Sequence, residues 1–336
     1  MKLLILGGPK FLGRYVIEAA LANNHDVTVF NRGQTNPDLY PEIEKLRGNR
    51  DGDLTALNGR SWDAVIDTCG YVPRLAEASA KLLADAVDHY TFVSSISVYA
   101  GTAVPGLDET APLGTMADET IEEINGETYG PLKVLCEQAV ERSFPGRANH
   151  VRAGLIVGPH DPSDRFTYWP YRLHRGGEVL APGLPDTPVQ FVDVRDLAGW
   201  MVRMAESRTA GAFNATGPDT PLTMGELLTA CREAGASDAV LTWVDDAFLL
   251  EKEVGPWMEL PLWIPASDKD APGFSAIDCR RAFAAGLTFR SLAETVRDTL
   301  AWVLQRDPDW TWRAGMDAGK ETAVLQAWHQ AKTQKS

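Results

Sequence analysis

Apolar positions near the start of the chain come first as an unbroken run and then as a helical row. Lys2-Leu3-Leu4-Ile5-Leu6 is continuous, as a strand buried on both faces of a parallel sheet should be. Gly7-Gly8-Pro9-Lys10-Phe11-Leu12-Gly13 follows. Phe11, Leu12, Tyr15, Val16, Ala19 and Ala20 then recur at helical spacing until Asn23-Asn24, and Val27-Thr28-Val29-Phe30 reads as the next strand. Strand, glycine turn, helix and strand make a βαβ unit whose turn aims helix N-terminal N–H groups at a pyrophosphate. Gly7, Gly8, Lys10, Phe11, Leu12 and Gly13 are therefore candidate cofactor contacts, with Lys10 adding a cation for a phosphate.

The same alternation continues. Trp62 to Gly70 reads as the fourth strand running out through Cys69 and Gly70, where a cofactor ribose should pass. Ala76 to Val87 is helical by pattern, and His89 to Val93 is the fifth strand, ending at Ser94-Ser95. Open α/β sheets bind ligands at that end. Gly101 to Gly126 is acidic and aperiodic, a surface excursion. Pro131 fits only the first turn of a helix, so one starts at Tyr129 and runs to about Ser143. Val151 to Pro159 is a sixth strand with its exit loop, and Val189 to Ala198 and Phe213 to Gly217 return to the sheet. Thr223-x-x-Glu226 and Ser291-x-x-Glu294 are capping boxes that start helices. Asp193 and Asp196 read as helix-capping and bracing residues. A helix from Ala293 to Leu304 precedes an amphipathic tail, Thr322 to Ala331, and Thr333 to Ser336 should be loose.

Composition narrows the function. Apolar residues at 44% and charged residues at 23% of 336 suit a globular enzyme. The 46 acidic against 32 basic side chains leave a net charge of −14, which disfavours nucleic acid and anionic membranes as partners. No stretch is long and apolar enough to span a bilayer and no signal peptide is read, so a cytoplasmic protein is expected. Cys69, Cys136, Cys231 and Cys279 lack CxxC spacing and read as reduced thiols. Nine of the ten tryptophans lie beyond residue 160, which marks a change of character. His160 to Trp169, polar and aromatic together, suits a lid over a substrate, with an aromatic-stapled loop as the alternative. Its His160, Asp161 and Asp164 lack metal-ligand spacing, so no metal is expected.

After the second strand stands Asn31-Arg32-Gly33, where an NAD-preferring protein usually carries Asp or Glu for the ribose 2′-hydroxyl. An acid there would repel a 2′-phosphate and Arg32 would attract one, so the cofactor read here is NADP, with NAD left open through Asn31. Tyr129 and Lys133, four apart, share a helix face, so the ammonium is expected to lower the pKa of the phenol. Ser95 is positioned to point its hydroxyl at the oxygen that Tyr129 would protonate.

These features, in this order, resemble the short-chain dehydrogenase/reductase superfamily. The chain is similar to its extended and atypical members, the broad NAD-dependent epimerase/dehydratase family. Members mostly read GxxGxxG, with a third glycine where this chain has Lys10. The resemblance covers residues 1 to about 305 and implies an α/β fold, a Rossmann-type doubly wound parallel sheet with a smaller C-terminal substrate-binding lobe. Residues 1–158, with returns at about 189–217 and 275–305, would form the dinucleotide-binding domain. Residues 159–188 and 218–274 would form the substrate lobe, and 306–336 a C-terminal tail helix. It implies Ser95, Tyr129 and Lys133 as the catalytic set. Cofactor contacts would come from Asp53 and Leu54 at the adenine, from Ser94, Tyr129 and Lys133, and from Gly154, Leu155 and Ile156 at the nicotinamide. Many nucleotide-sugar enzymes carry an asparagine where Leu155 stands, which argues against a UDP- or dTDP-sugar.

The expected activity is hydride transfer between the nicotinamide and a carbonyl or secondary alcohol of a small metabolite, by a reductase or an epimerase. No acid pair flanks Ser95 as a dehydratase would need. Ser97, Arg165, Tyr168 and Trp169 are the candidate substrate contacts, and a monomer or homodimer is expected. The alternative is a non-catalytic nucleotide-binding, RNA-binding or regulatory protein on the same fold, since some atypical members are chloroplast RNA-binding proteins. The acidic charge and the intact Tyr129–Lys133 pair oppose it.

Overall fold

A computed structural model describes residues 1–307 and 309–335. Its centre is a seven-stranded parallel sheet formed by β1 (Lys2–Leu6), β2 (Asp26–Asn31), β3 (Glu44–Arg47), β4 (Trp62–Asp67), β5 (Val87–Ser95), β6 (Ala148–Ala153) and a last strand, Gly211–Ala215. The spatial order is β3-β2-β1-β4-β5-β6 and then Gly211–Ala215, so the order reverses between β1 and β4.

The continuous apolar run of β1 is explained by what covers it. Leu3 and Ile5 pack on one face with Val16 and Ile17 of α1 (Leu12–Ala22), while Leu4 and Leu6 pack on the other with Tyr90 and Phe92. Helices therefore cover both faces. α1 shares its side with α5 (Val194–Glu206), and α2 (Pro73–Leu83) and α3 (Tyr129–Ser143) cover the other. Fully burying a Leu or Ile side chain contributes about 1.5–3 kcal/mol, so these two layers carry most of the fold. Pro73 and Pro131 each sit in a first helical turn, where a missing N–H costs nothing.

A second core lies beyond the sheet. α4 (Tyr168–His174), α6 (Met224–Ala234) and the helices Leu292–Val303 and Ala318–Lys335 pack with a parallel pair of strands, Glu178–Pro182 and Val240–Val244. Both capping boxes form, Thr223 with Glu226 and Ser291 with Glu294. Asp193 caps α5 through the Arg195 N–H, and Asp196 accepts from Arg290. The tail expected loose from Thr333 continues the last helix to Lys335, and Ser336 lies outside the described residues. The four cysteines are unpaired. Among the described residues no helix is long and apolar enough to cross a membrane, and no group of three or more His, Cys, Asp or Glu side chains is set to hold a metal ion.

One ion pair locks the carboxyl end of the sheet. Asp67, fully buried at the end of β4, takes both terminal nitrogens of Arg50, with Nη1 at 2.7 Å, and also the Tyr90 hydroxyl at 2.8 Å and the Cys69 N–H at 3.1 Å. Arg50 also donates to Ser79 Oγ and to the Leu75 carbonyl of α2. Four segments thus meet at one carboxylate. Removing one partner of such a buried pair leaves an uncompensated charge, so Asp67→Ala is expected to lower unfolding stability by about 3–5 kcal/mol in urea titrations. A loss below about 1 kcal/mol would show that the segments hold without it.

Candidate active site

The carboxyl ends of β1, β2, β4, β5 and β6 and the first turns of α1 and α3 surround one cavity of about 860 Å³, at the place where the strand order reverses. Gly7 has φ +128°, and a Cβ there would lie 2.3 Å from Thr68 Oγ1. A Cβ on Gly13 would come within 2.5 Å of the Gly8 carbonyl oxygen. Only glycine lets the turn fold this tightly. No side chain caps α1, so the orphan N–H groups of its first turn, at Phe11, Leu12 and Gly13, border the cavity with Gly8 and Lys10. A phosphate-binding turn has this form. The buried Ser94 hydroxyl on the same wall has no hydrogen-bond partner in the protein, so the residues present fit a dinucleotide.

At the end of β2, Asn31 braces the turn: its Nδ2 donates to the Gly7 carbonyl at 3.0 Å, and its Oδ1 accepts from Gly33 N at 2.8 Å and from Arg47 Nη1 at 2.6 Å. Arg32 is exposed at the cavity edge. Arg47, from β3, was not anticipated, because Glu44–Arg47 carries no apolar run. It is a short edge strand with half its residues exposed.

Two cofactor contacts expected after β3 and β4 are displaced. Asp53 is not on the cavity wall, since its carboxylate is engaged with the Thr55 N–H and hydroxyl in a surface turn. Leu54 does line the cavity, with Arg50 and Asp51 beside it. Cys69 lines it as well, whereas Gly70 stands behind the wall with its carbonyl taken by Lys133.

Ser95, Tyr129 and Lys133 all border this cavity. The Lys133 ammonium is 3% exposed and donates to the Gly70 carbonyl at 2.6 Å and the Val93 carbonyl at 2.9 Å, so it ties α3 to the ends of β4 and β5. It stands 4.4 Å from the ring centre of Tyr71 and 5.9 Å from that of Tyr129. Burial pulls its pKa down to about 8. The Tyr129 phenol is pushed up by burial, opposed by the Ser95 hydroxyl and by the charge of Arg165. The expectation that Lys133 makes this phenol acidic is therefore corrected. In this structure the ammonium is turned to two carbonyls and the phenol stays protonated at neutral pH. Tyr71 is a further phenol on the wall that the sequence reading missed, although its place after Cys69-Gly70 at a strand's carboxyl end was a usable signal.

The loop after β6 splits the remaining candidates. Gly154 and Ile156 line the cavity, while Leu155 points into the second core. Asp161, Ser163 and Arg165 form part of the wall. Tyr168 and Trp169 do not: Trp169 is fully buried, with its indole N–H on the Pro261 carbonyl at 2.8 Å, and Tyr168 packs in the same core. The lid reading of His160–Trp169 fails for the same reason. Asp164 is fully buried against Arg306, 2.7 Å away, and takes the Trp310 N–H, while the Arg306 guanidinium lies over Trp302 and Trp310. The stretch is a stapled wall. Ser97 faces a separate cleft on the far side of Tyr129, where its Oγ accepts from Ser95 Oγ at 3.1 Å.

No family model matches the chain. It is 25% identical over 265 residues to a chloroplast stem-loop binding protein of 41 kDa from Arabidopsis thaliana, covering 70% of this chain and 63% of that protein. It is 23% identical over 248 residues to an epimerase family protein of Bos taurus, covering 68% of this chain and 79% of the relative. The chain thus spans under two thirds of the first relative's length. Solved structures similar over nearly the whole fold include a UDP-glucose 4-epimerase, with a TM-score of 0.68 at 14% identity and coverage of 93% and 100%. The Bordetella bronchiseptica enzyme WbmH, solved with NAD+, gives 0.67 at 19%, covering 90% of this chain and 98% of that one. The chain shares the α/β fold of these two enzymes, a parallel central sheet with helices on both faces and a second lobe.

The buried lysine sets a pH limit. Its folded pKa is depressed, so the ammonium is complete only well below about 8 and is lost as pH rises through that value. Any step that needs the charge should show kcat/KM falling above pH 8, and a profile flat to pH 9.5 would remove Lys133 from it.

Proposed function

We propose that this protein is a nicotinamide-dependent oxidoreductase or epimerase that moves hydride between the cofactor and a carbonyl or secondary alcohol of a small metabolite. The observation that carries the reading is the convergence of Ser95, Tyr129 and Lys133 on the same cavity as the uncapped glycine turn. When bound, the nicotinamide supplies or takes the hydride. The rest belongs to the chain. Ser95 holds the substrate oxygen beside the phenol, and the protonated Tyr129 gives its proton to that oxygen as a carbonyl becomes an alcohol. Lys133 keeps a positive charge under the same place and, with Ser94, holds the ribose side of the cofactor. Such acid–base assistance contributes ~10²–10⁴-fold.

NADP is the proposed cofactor, although WbmH was solved with NAD+. Arg32 follows the end of β2 and Arg47 ends the neighbouring β3, neither with a carboxylate partner among the described residues, and Asn31 replaces the acid that would repel a 2′-phosphate. The site charge agrees. Lys10, Arg32, Arg50, Lys133 and Arg165 line the cavity against Asp51 and Asp161, in a chain whose net charge is −14. That charge also speaks against taking the stem-loop binding named for the Arabidopsis relative as this chain's role.

Two experiments test the proposal. Tyr129→Phe is expected to cut turnover by about 10²–10⁴-fold while leaving cofactor binding intact, and unchanged turnover would end the enzymatic reading. Binding titrations should give at least tenfold preference for NADPH over NADH, lost in the Arg32→Ala/Arg47→Ala double variant. Equal binding in the unmodified protein would reject NADP. Cofactor retained through purification would favour the epimerase, and free exchange the reductase.

A further inference from the structure

Arg165 is a cation of the cavity wall that the proposed reaction does not use. Its guanidinium is half-buried on the same wall as Ser95 and Tyr129 and lies over the indole of Trp257, 5.8 Å from the ring centre. Among the described residues it makes no ion pair and no side-chain hydrogen bond. A guanidinium held on an aromatic face without an ion-pair partner is only partly compensated. The charge of Arg165 reaches the buried Asp161 carboxyl on the same wall, but the two make no ion pair, and Asp161 accepts instead from the N–H and hydroxyl of Ser163, at 2.8 and 2.9 Å.

The support beneath Arg165 is rigid. Asp164, its chain neighbour, is clamped by Arg306, Trp310 Nε1 and Arg313 N, and Phe166 on the other side is fully buried. Trp257 is itself packed edge-on against Phe274, 5.0 Å away, and its backbone N–H donates to the Trp263 carbonyl. A charge fixed from both sides and left open toward a cleft is a preorganised anion site. The glycine turn already offers N–H groups and Lys10 for the pyrophosphate on another wall, and the charge of Arg165 is felt at the Tyr129 phenol.

We propose that Arg165, seated on Trp257, binds an anionic group of the substrate, a carboxylate or a phosphate, beside the carbon that reacts at Tyr129. This rests on the hydride-transfer reading for the word substrate, but not for the anion site. Planar guanidinium donors suit both anions, and the two sources are separated by probe.

The test uses the full chain with NADP+ at saturation. Glycerate, glycerol 3-phosphate and glycerol are titrated in turn by calorimetry and by tryptophan fluorescence, with Trp257→Phe isolating the share of Trp257 among the ten tryptophans. The expected result is that one of the two anions binds at least tenfold more tightly than glycerol. The preference should vanish in Arg165→Ala and survive in part in Arg165→Lys, while NADPH affinity changes less than about twofold. Whichever anion is preferred identifies the carboxylate or the phosphate. No preference for either anion, or equal anion binding by Arg165→Ala, overturns the proposal. So does a tenfold loss of NADPH affinity in Arg165→Ala, because the arginine would then serve the cofactor. If Arg165→Ala does not fold, Arg165→Lys and Arg165→Gln carry the comparison. Anion binding without turnover on any anionic carbonyl would sink the redox reading and leave the anion site standing, so the two failures are distinguishable.

Discussion

The carboxylate of Asp67 holds the site together. Parallel strands end in carbonyls and N–H groups that a loop must satisfy, and here the loops after β3 and β4, strand β5 and helix α2 all close on this one buried charge through Arg50, Cys69, Tyr90 and Ser79. The pair is enclosed, with Asp67 inaccessible and the Arg50 side chain 11% exposed, so its desolvation is offset only because nearly every polar atom is matched. Lys133 works one layer above by the same means. Its two carbonyl acceptors belong to Gly70, three residues past Asp67, and to Val93, three residues past Tyr90. Distortion of the lower pair would carry directly into the lysine.

This arrangement explains which parts of the site the sequence disclosed. The βαβ start is local: an apolar run, a glycine turn and a helical row all act within thirty-one residues, so Gly7, Gly13 and the uncapped helix end could be read one after another. Tyr129 and Lys133 were readable for the same reason, because Pro131 fixes where α3 begins. Arg50 and Arg47 were not. Neither lies in a patterned segment: Arg47 acquires its place by pairing with β2 at the sheet edge, and Arg50 by reaching Asp67 at the end of β4.

Aromatic composition misled in the opposite direction. Tyr168 and Trp169 sit in a polar, aromatic stretch that resembles a pocket wall, yet their surroundings are decided by residues far along the chain. Arg306 reaches Asp164 across 142 positions, and Pro261 accepts from Trp169 across 92. Nothing near residue 164 announces that contact. The same distant staple turns a supposed lid into a fixed wall, on which Asp161, Pro162, Ser163 and Arg165 face the cavity while Asp164 and Phe166 are buried.

The electrostatics of the wall then favour one direction of proton movement. Burial raises the Tyr129 phenol and lowers the Lys133 ammonium, so both changes favour the neutral forms. At pH 7 the phenol retains its proton while the lysine still holds its charge, which suits a group that donates to a substrate oxygen. Accepting a proton needs the phenolate, and the influences that favour it are the Ser95 hydroxyl and Arg165. An anion resting on Arg165 would cancel part of that influence and hold the phenol more firmly in its protonated form. With the phenol already protonated at pH 7, the effect falls on the reverse direction: the phenolate that oxidation needs becomes scarcer and the phenol a somewhat weaker donor, both through a single guanidinium and without any movement of the backbone.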